Sequence, residues 1–296
     1  MHARDPLADV LAAGRRLVSL DAFRGFTIIG MVIVNDPANW SHVYAPLLHS
    51  EWHGITPTDL VFPFFLFIVG VSIALAFTRR LRQGATPAQF TGKIIRRTLI
   101  LFLLGVFLWL WPEFDFAHIR WAGVLQRIAI VYGVCAFLFL YTSWRTQAWL
   151  GAGILVAYWL AMCFIPTPGY GEPLLEPGKN LAAWVDSLLL PGVMWQKTWD
   201  PEGILSTLPA IVTGITGMLA GRLLLSPADT WRRISWLMLA GYFSYVIGSA
   251  WDWFFPINKN LWTSSYVMYT SGLAAMTFGA TIWLVDVKGI KSWTWP

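Results

Sequence analysis

Residues 58–78, TDLVFPFFLFIVGVSIALAFT, carry a single ionisable side chain, Asp59, and run straight into Arg79-Arg80-Leu81-Arg82. As an α-helix, 21 residues rise ~31 Å, the thickness of a bilayer's hydrocarbon core. The stretch therefore reads as a transmembrane helix with an acid at one interface and arginines at the other. Working outward, seven further apolar runs have a similar extent: about 18–35, 94–111, 122–141, 147–165, 203–225, 234–255 and 264–285. The predicted fold class is an all-α polytopic membrane protein. It is a bundle of about eight transmembrane helices forming a single domain over 1–296.

Composition agrees. Of 296 residues, 56% are hydrophobic and 12% charged, about half the usual charged share of a globular chain, and the mean hydropathy is +0.56. Nineteen Trp and nineteen Phe are too many to hide in one water-surrounded core. Disordered, disulfide-scaffold and nucleic-acid-binding classes are excluded. Residues 1–16, MHARDPLADVLAAGRR, lack a continuous apolar stretch and read as a cytoplasmic segment, not a signal peptide. Cys135 and Cys163 fall at different depths and read as small packing residues. Gly214, Gly217 and Gly221 form a small-residue face suited to helix packing.

The charges set an expected orientation. With the N-terminus in the cytoplasm and the loops alternating, fifteen Lys and Arg fall on the cytoplasmic side and four outside; Arg24 and Arg127 remain within spans. This is the positive-inside pattern, and it accounts for the pI of 9.3. Residues 36–57 and 166–202 are then outer-face loops. The first holds His42, His49 and His53 but no Lys or Arg; the second is rich in Pro and Gly and carries Glu172, Glu176, Asp186, Asp200 and Glu202. Residues 181–190, LAAWVDSLLL, suit a short helix at the membrane surface.

Ionisable groups within spans are costly and are functional candidates. Asp21 and Arg24, three residues apart, can pair on one helix face. Asp59 reads either as a first-turn acid favoured by the helix dipole or as part of a site. His49, with Asn35 and Asp59 near the same interface, has the makings of base, oxyanion donor and orienting carboxylate, although polar residues at a bundle mouth are common. The histidines lack metal-ligand spacing, and no metal is expected.

Several blocks resemble one family in order along the chain: RLVSLDAFRG (residues 16–25), VND (34–36), HSEWHGITPTDLVFPFFLF (49–67), GVLQR (123–127), WDPEG (199–203), PINKNLW (256–262) and VDVKG (285–289). The family is that of the transmembrane acyltransferases related to heparan-α-glucosaminide N-acetyltransferase, and the compact chain looks like a bacterial member. The resemblance implies transfer of acetyl from cytosolic acetyl-CoA to a sugar amine on the other face of the membrane. The family's active-site histidine falls on His49, its amide partner on Asn35 and its acid on Asp59. The family pattern also implies further spans beyond Pro296.

The expected topology fits that chemistry. Polyanionic CoA would dock on cytoplasmic basic residues, with Lys93, Arg97 and Lys288 near helix ends and Arg24 and Arg127 within spans as its binding set. Its pantetheine arm would thread between helices and deliver the thioester to His49, which favours direct transfer over an acetyl-His49 relay. Glu202, Lys259, Trp262 and Ser265 form the expected acceptor-binding set. The expected acceptor is a glucosamine-type amino sugar, the location a bacterial inner membrane, and a homodimer is compatible with it. The alternatives are glycan O-acetylation and secondary transport of a sugar-like solute along Asn35, Asp59 and Arg127.

Overall fold

A computed structural model describes Leu7 and residues 16–294. Residues 1–6 and 8–15, most of the expected cytoplasmic segment, lie outside the described residues. The described chain is all-α, with only an isolated antiparallel bridge between Arg120 and Gly192. Its helices are α1 (Val18–Asn35), α2 (Val61–Arg82), α3 (Ala88–Leu110), α4 (Val124–Tyr141), α5 (Trp144–Phe164), a short α6 (Leu181–Leu189), α7 (Ile204–Leu224), α8 (Thr230–Trp251) and α9 (Ser264–Ile282). The 3₁₀ turn Pro57–Leu60 leads into α2, and a π turn, Trp283–Val287, continues α9.

The eight expected spans coincide with the eight long helices. Six of them, with their flanking turns, are long and apolar enough to cross a membrane: Val18–Asn35, Pro57–Arg82, Val124–Tyr141, Trp144–Phe164, Ile204–Leu224 and Ser264–Val287. The other two, α3 and α8, are as long but begin earlier than their apolar stretches, at Ala88 and Thr230. Their added first turns are polar and locally hydrogen-bonded. Asp229 Oδ1 accepts from Arg232 N, replacing a partner that a helix N-terminus otherwise lacks, and Gln89 Oε1 accepts from Thr86 N just ahead of α3. Outward-facing residues are as apolar as the interior: Phe26, Ile29, Val32 and Ile33 on α1 and Leu99, Leu103 and Leu108 on α3 are all exposed. In water such faces would drive aggregation; against lipid they are matched to their solvent.

Helix α7 lies at the centre of the bundle. Its Gly217 faces the Phe67 carbonyl of α2, and Gly70 of α2 faces the Gly214 carbonyl. A Cβ at either glycine would overlap the opposing backbone, so the two helices touch main chain to main chain, as small-residue faces permit. Cys135 and Cys163 are both free. At one end of the bundle four connections interlock: residues 36–57, 111–123, 165–203 and 252–263. Gly54 N donates to Ile257 O (2.8 Å), Val193 N donates to Ile119 O (3.0 Å), and Trp52 Nε1 donates to Leu175 O (2.7 Å). The opposite end carries the basic clusters around Arg79–Arg82, Lys93–Arg97 and Arg232–Arg233.

Candidate active site

The site begins where the chain enters α2. Pro57 supplies a fixed φ at the start of the turn, and Asp59 sits three residues after Thr56. Its Oδ2 accepts from Thr56 N (3.0 Å) and Ser50 N (3.1 Å). The Thr56 hydroxyl donates to Leu48 O at 2.7 Å, which holds the residue before His49. One carboxylate oxygen thus performs the helix-start role expected of a first-turn acid. The other, Oδ1, accepts from His49 Nδ1 at 2.6 Å. Asp59 is fully buried, whereas the His49 side chain is 47% exposed, so the imidazole is oriented from behind while part of the ring stays accessible. Tyr266 of α9 donates its hydroxyl to the Asp59 carbonyl at 2.6 Å and pins the turn from below.

His118 also meets an acid, Asp115, at 2.7 Å, but the two lie within one turn and both are largely exposed. Of the histidines in residues 36–57, His42 hydrogen-bonds through its ring to Asn39 (3.2 Å), its one side-chain partner among the described residues. His53 accepts from Asn258 Nδ2 at 3.4 Å; burial pulls its pKa down, with the Asp252 charge opposing. A buried acid behind the ring and a lysine in front distinguish His49.

That lysine is Lys259. Its Nζ lies 3.0 Å from His49 Nε2, 3.1 Å from Nδ1 and 3.9 Å from Asp59 Oδ1. The loop that carries it is tightly ordered. Asp252 Oδ1 accepts from Ile257 N (2.6 Å), Asn258 Oδ1 accepts from Leu261 N (2.9 Å), and Asn258 N donates to Thr263 Oγ1 (3.0 Å). Trp262 closes the turn with a left-handed φ of 52°. Burial draws the Lys259 pKa below its ordinary value, with the Asp59 carboxylate opposing.

The remaining expected acceptor residues line the interior. Trp262 is 1% exposed and stacks edge-on against Phe62 and Tyr266. Its Nε1 donates to Thr213 Oγ1 (3.2 Å). Ser265 is buried and donates to Phe255 O. Glu202 accepts from Arg120 Nη2 at 2.6 Å. Arg120 in turn forks onto Asp200 through Nε (2.7 Å) and Nη2 (2.6 Å) and lies 5.8 and 5.0 Å from the ring centroids of Trp109 and Trp195. Burial works against the Arg120 charge, but the Asp200 bonds and the two acids outweigh it and hold its pKa above the ordinary value. This clamp ties residues 111–123 to 165–203. The sequence offered no spacing from which to read it.

Arg127, in the first turn of α4, is also deep in the interior. Its guanidinium lies 5.1 Å from the Trp262 ring and donates to Ser206 Oγ and to Gly203 O (3.3 Å). Its Nε and Nη1 have no partner among the described residues. Asn35 sits exposed in the last turn of α1, where its amide donates to Met31 O at 2.9 Å. Among the described residues it makes no hydrogen bond to His49 or Asp59, so the structure assembles His49, Asp59 and Lys259 but leaves Asn35 on its own helix.

At the basic end, a cavity of about 410 Å³ opens between α2, α3 and α4. Arg80, Lys93, Arg96 and Arg97 line it together with the buried Phe77, Phe90, Ile94 and Tyr132. Arg97 stacks over Tyr132 at 4.7 Å. Arg24 and Lys288 are absent from this lining: Arg24 pairs with Asp21 (3.0 Å), as their spacing predicted, and donates to Ser72 Oγ (3.1 Å), while Lys288 lies 5.3 Å from the Trp283 ring. Sequence reasoning missed Arg80 as a cavity residue because it belongs to a cluster that looks purely topogenic.

These features define an all-α polytopic membrane protein with a carboxylate-held histidine under a loop roof. The family model described as "Heparan-alpha-glucosaminide N-acetyltransferase, catalytic" matches residues 16–248, and the chain belongs to that family. It is similar to heparan-alpha-glucosaminide N-acetyltransferase of Mus musculus, 32% identical over 342 residues, covering 96% of this chain and 51% of the relative. The Homo sapiens protein of the same name is 32% identical over 338 residues, covering 94% and 50%. The chain thus spans about half the length of the curated relatives it matches.

Proposed function

We propose that this chain is a membrane acetyltransferase. It moves acetyl from acetyl-CoA, bound at the basic end, to the amine of a glucosamine-type sugar at the His49 end. The observation that carries the reading is His49 itself: one ring nitrogen held by a wholly buried carboxylate, the other turned to an accessible face. With Nδ1–H donated to Asp59, Nε2 keeps the lone pair a general base requires. The acceptor amine gives a proton to Nε2 as its nitrogen attacks the thioester carbonyl, and the same proton serves the departing thiolate. Asn35 fits the role of oxyanion donor only by turning away from Met31 O.

The donor side is supported by the basic cavity. Its four cations suit the phosphates of CoA, and its apolar depth reaches Tyr132, five residues or ~7.5 Å of helix rise from Arg127. A pantetheine arm entering there would pass along α4 toward Arg127, whose unpartnered N–H groups could meet its carbonyls. Direct transfer is favoured, since the thioester itself would reach the site. Lys288 and Arg24 would act at most from outside this cavity. On the acceptor side, Lys259 borders the reacting face, while Glu202, Trp262 and Ser265 shape its floor. The positive-inside pattern supports a cytoplasmic N-terminus and an outer-face His49, in a bacterial inner membrane.

The test is acetyl transfer to glucosamine by the purified protein in nanodiscs, without an ion gradient, for the wild type and for His49→Ala, His42→Ala and His53→Ala. His49→Ala is expected to lose ~10²–10⁴-fold in turnover, the usual value of a positioned acid–base group, while binding CoA normally. Near-normal turnover of His49→Ala, with His42→Ala or His53→Ala inactive, overturns the assignment. A wild type that moves a sugar across the bilayer but transfers no acetyl makes it a transporter.

A further inference from the structure

Lys259 reaches the imidazole from a loop 210 residues away in sequence, and its position is not that of a simple ion-pair partner. Its ammonium is nearer to both ring nitrogens of His49, at 3.0 and 3.1 Å, than to the Asp59 carboxylate at 3.9 Å. Its side chain is only 16% exposed. The loop that holds it is fixed by the Asp252 and Asn258 bonds and by the turn at Trp262. A cation is therefore held, nearly dry, against the ring whose Nε2 must receive the acceptor's proton. An amine within ~3 Å of Nε2 and in contact with a thioester carbon at ~3–3.5 Å brings the thioester oxygen into the space next to Nζ.

We propose that Lys259 is a catalytic residue of the acetyl transfer: its ammonium donates to the carbonyl oxygen of the acetyl thioester as the acceptor nitrogen attacks. The inference rests on the acetyl-transfer reading above. In the step, the acceptor nitrogen's lone pair forms the C–N bond and the carbonyl π pair moves to oxygen, where a Lys259 N–H receives it. The acceptor's proton passes to His49 Nε2. The oxyanion pair then re-forms the carbonyl, the C–S bond breaks, and the CoA sulfur leaves with the bonding pair and takes the proton from His49. No oxidant, reductant or further reactant enters. Without substrate, the Lys259 ammonium lies nearly equidistant from the two ring nitrogens, over the face of the imidazole, so the in-plane lone pair of Nε2 stays open to the acceptor amine while Nζ is free to turn to the carbonyl oxygen. Burial in low dielectric strengthens such a donor where charge develops. The Asp59 charge favours the ammonium form against the desolvation that draws its pKa down.

The experiment compares steady-state acetyl transfer by the wild type, Lys259→Met, Lys259→Gln and Lys259→Cys in a Cys135→Ala, Cys163→Ala background. Lys259→Cys is assayed before and after alkylation with 2-bromoethylamine, which restores a primary amine of lower basicity. Lys259→Met and Lys259→Gln are each expected to lower kcat by ~10²–10³-fold, the value of one oxyanion donor, with the acetyl-CoA KM within ~5-fold of wild type. Aminoethylation is expected to restore transfer and to move the alkaline limb of the pH–rate profile to lower pH. Two outcomes overturn the proposal: kcat/KM within ~5-fold of wild type in a folded Lys259→Gln, or a loss that aminoethylation leaves unrepaired. A wild type that transfers no acetyl removes the underlying reading instead, and is recognised before any variant is compared.

Discussion

Asp186 supplies a pH test of how the loop roof is built. It projects from α6, is 2% exposed, and its Oδ1 accepts from Ile204 N at 2.8 Å, capping the start of α7. Gly203 packs so closely that a Cβ there would overlap the Asp186 carboxylate. Burial raises its pKa from 3.8 to about 7, opposed by the Ile204 bond. The folded chain therefore holds a proton that the unfolded chain releases near pH 4. Stability falls as pH rises through the window between those two values, and above pH 7 the whole penalty is present. Three units correspond to about 4 kcal/mol. Asp186→Asn keeps the acceptor for Ile204 N and cannot ionise. The assay is thermal unfolding in detergent, followed by tryptophan fluorescence from pH 4 to pH 8. The variant and wild type are expected to melt within a degree or two of each other at the acid end. At pH 8 the variant should melt higher by on the order of 5 °C or more. A variant less stable at pH 8, or a difference independent of pH, refutes the reasoning and makes Asp186 a working carboxylate partner of Arg127.

The Arg120 clamp predicts a large stability effect. Arg120→Met leaves Asp200 and Glu202 buried without their cation and should cost ~3–5 kcal/mol in thermal or denaturant unfolding; adding Asp200→Asn and Glu202→Gln should recover most of it, and a loss under ~1 kcal/mol contradicts the clamp. Lys93→Gln and Arg97→Gln should each weaken CoA binding in calorimetry and flatten its salt dependence; salt-independent binding, or no change in either variant, argues against the basic cavity as the nucleotide site. Single cysteines introduced as His42→Cys and Arg145→Cys, in a background free of the native pair, should react with an impermeant maleimide from opposite faces of sealed vesicles; labelling from one face ends the proposed orientation.

How far the sequence reached depended on the range of each interaction. The spans were legible because a 20-residue apolar run has few alternatives, and residues 58–78 could hardly be anything else. The starts of α3 and α8 were not, because hydropathy ignores the local hydrogen bonds of Gln89 and Asp229 that carry those helices into polar sequence. His49 and Asp59 are ten residues apart, and the acid stands in the first turn of a helix entered from the histidine's own loop, so their meeting could be anticipated. Lys259 was assigned to the acceptor, but no local pattern could set it against the imidazole. Asn35 shows the reverse: the family pattern grouped it with His49, yet its amide folds back along its own helix to donate to Met31 O. The charge count gave the end of the bundle on which Lys288 lies, but not its azimuth, which is why it was grouped with Lys93 and Arg97 although it does not line their cavity.

The contact between Gly70 and Gly217 also bears on how solutes could pass. Carriers that expose a site alternately to two sides do so largely by rocking one part of the bundle against another. At Gly70, Gly214 and Gly217 no side chain stands between α2 and α7, only two backbones already in contact, so a slide along this line would drive one main chain into the other. The two helices form a stationary spine. Asp59 stands just before α2, and Ser206 and Gly203, which hold Arg127, stand at the start of α7; the spine therefore keeps the carboxylate and the guanidinium in fixed register. A molecule crossing this bundle must use a crevice beside the spine rather than a hinge through it, and the crevice between α2, α3 and α4 is lined with positive charge.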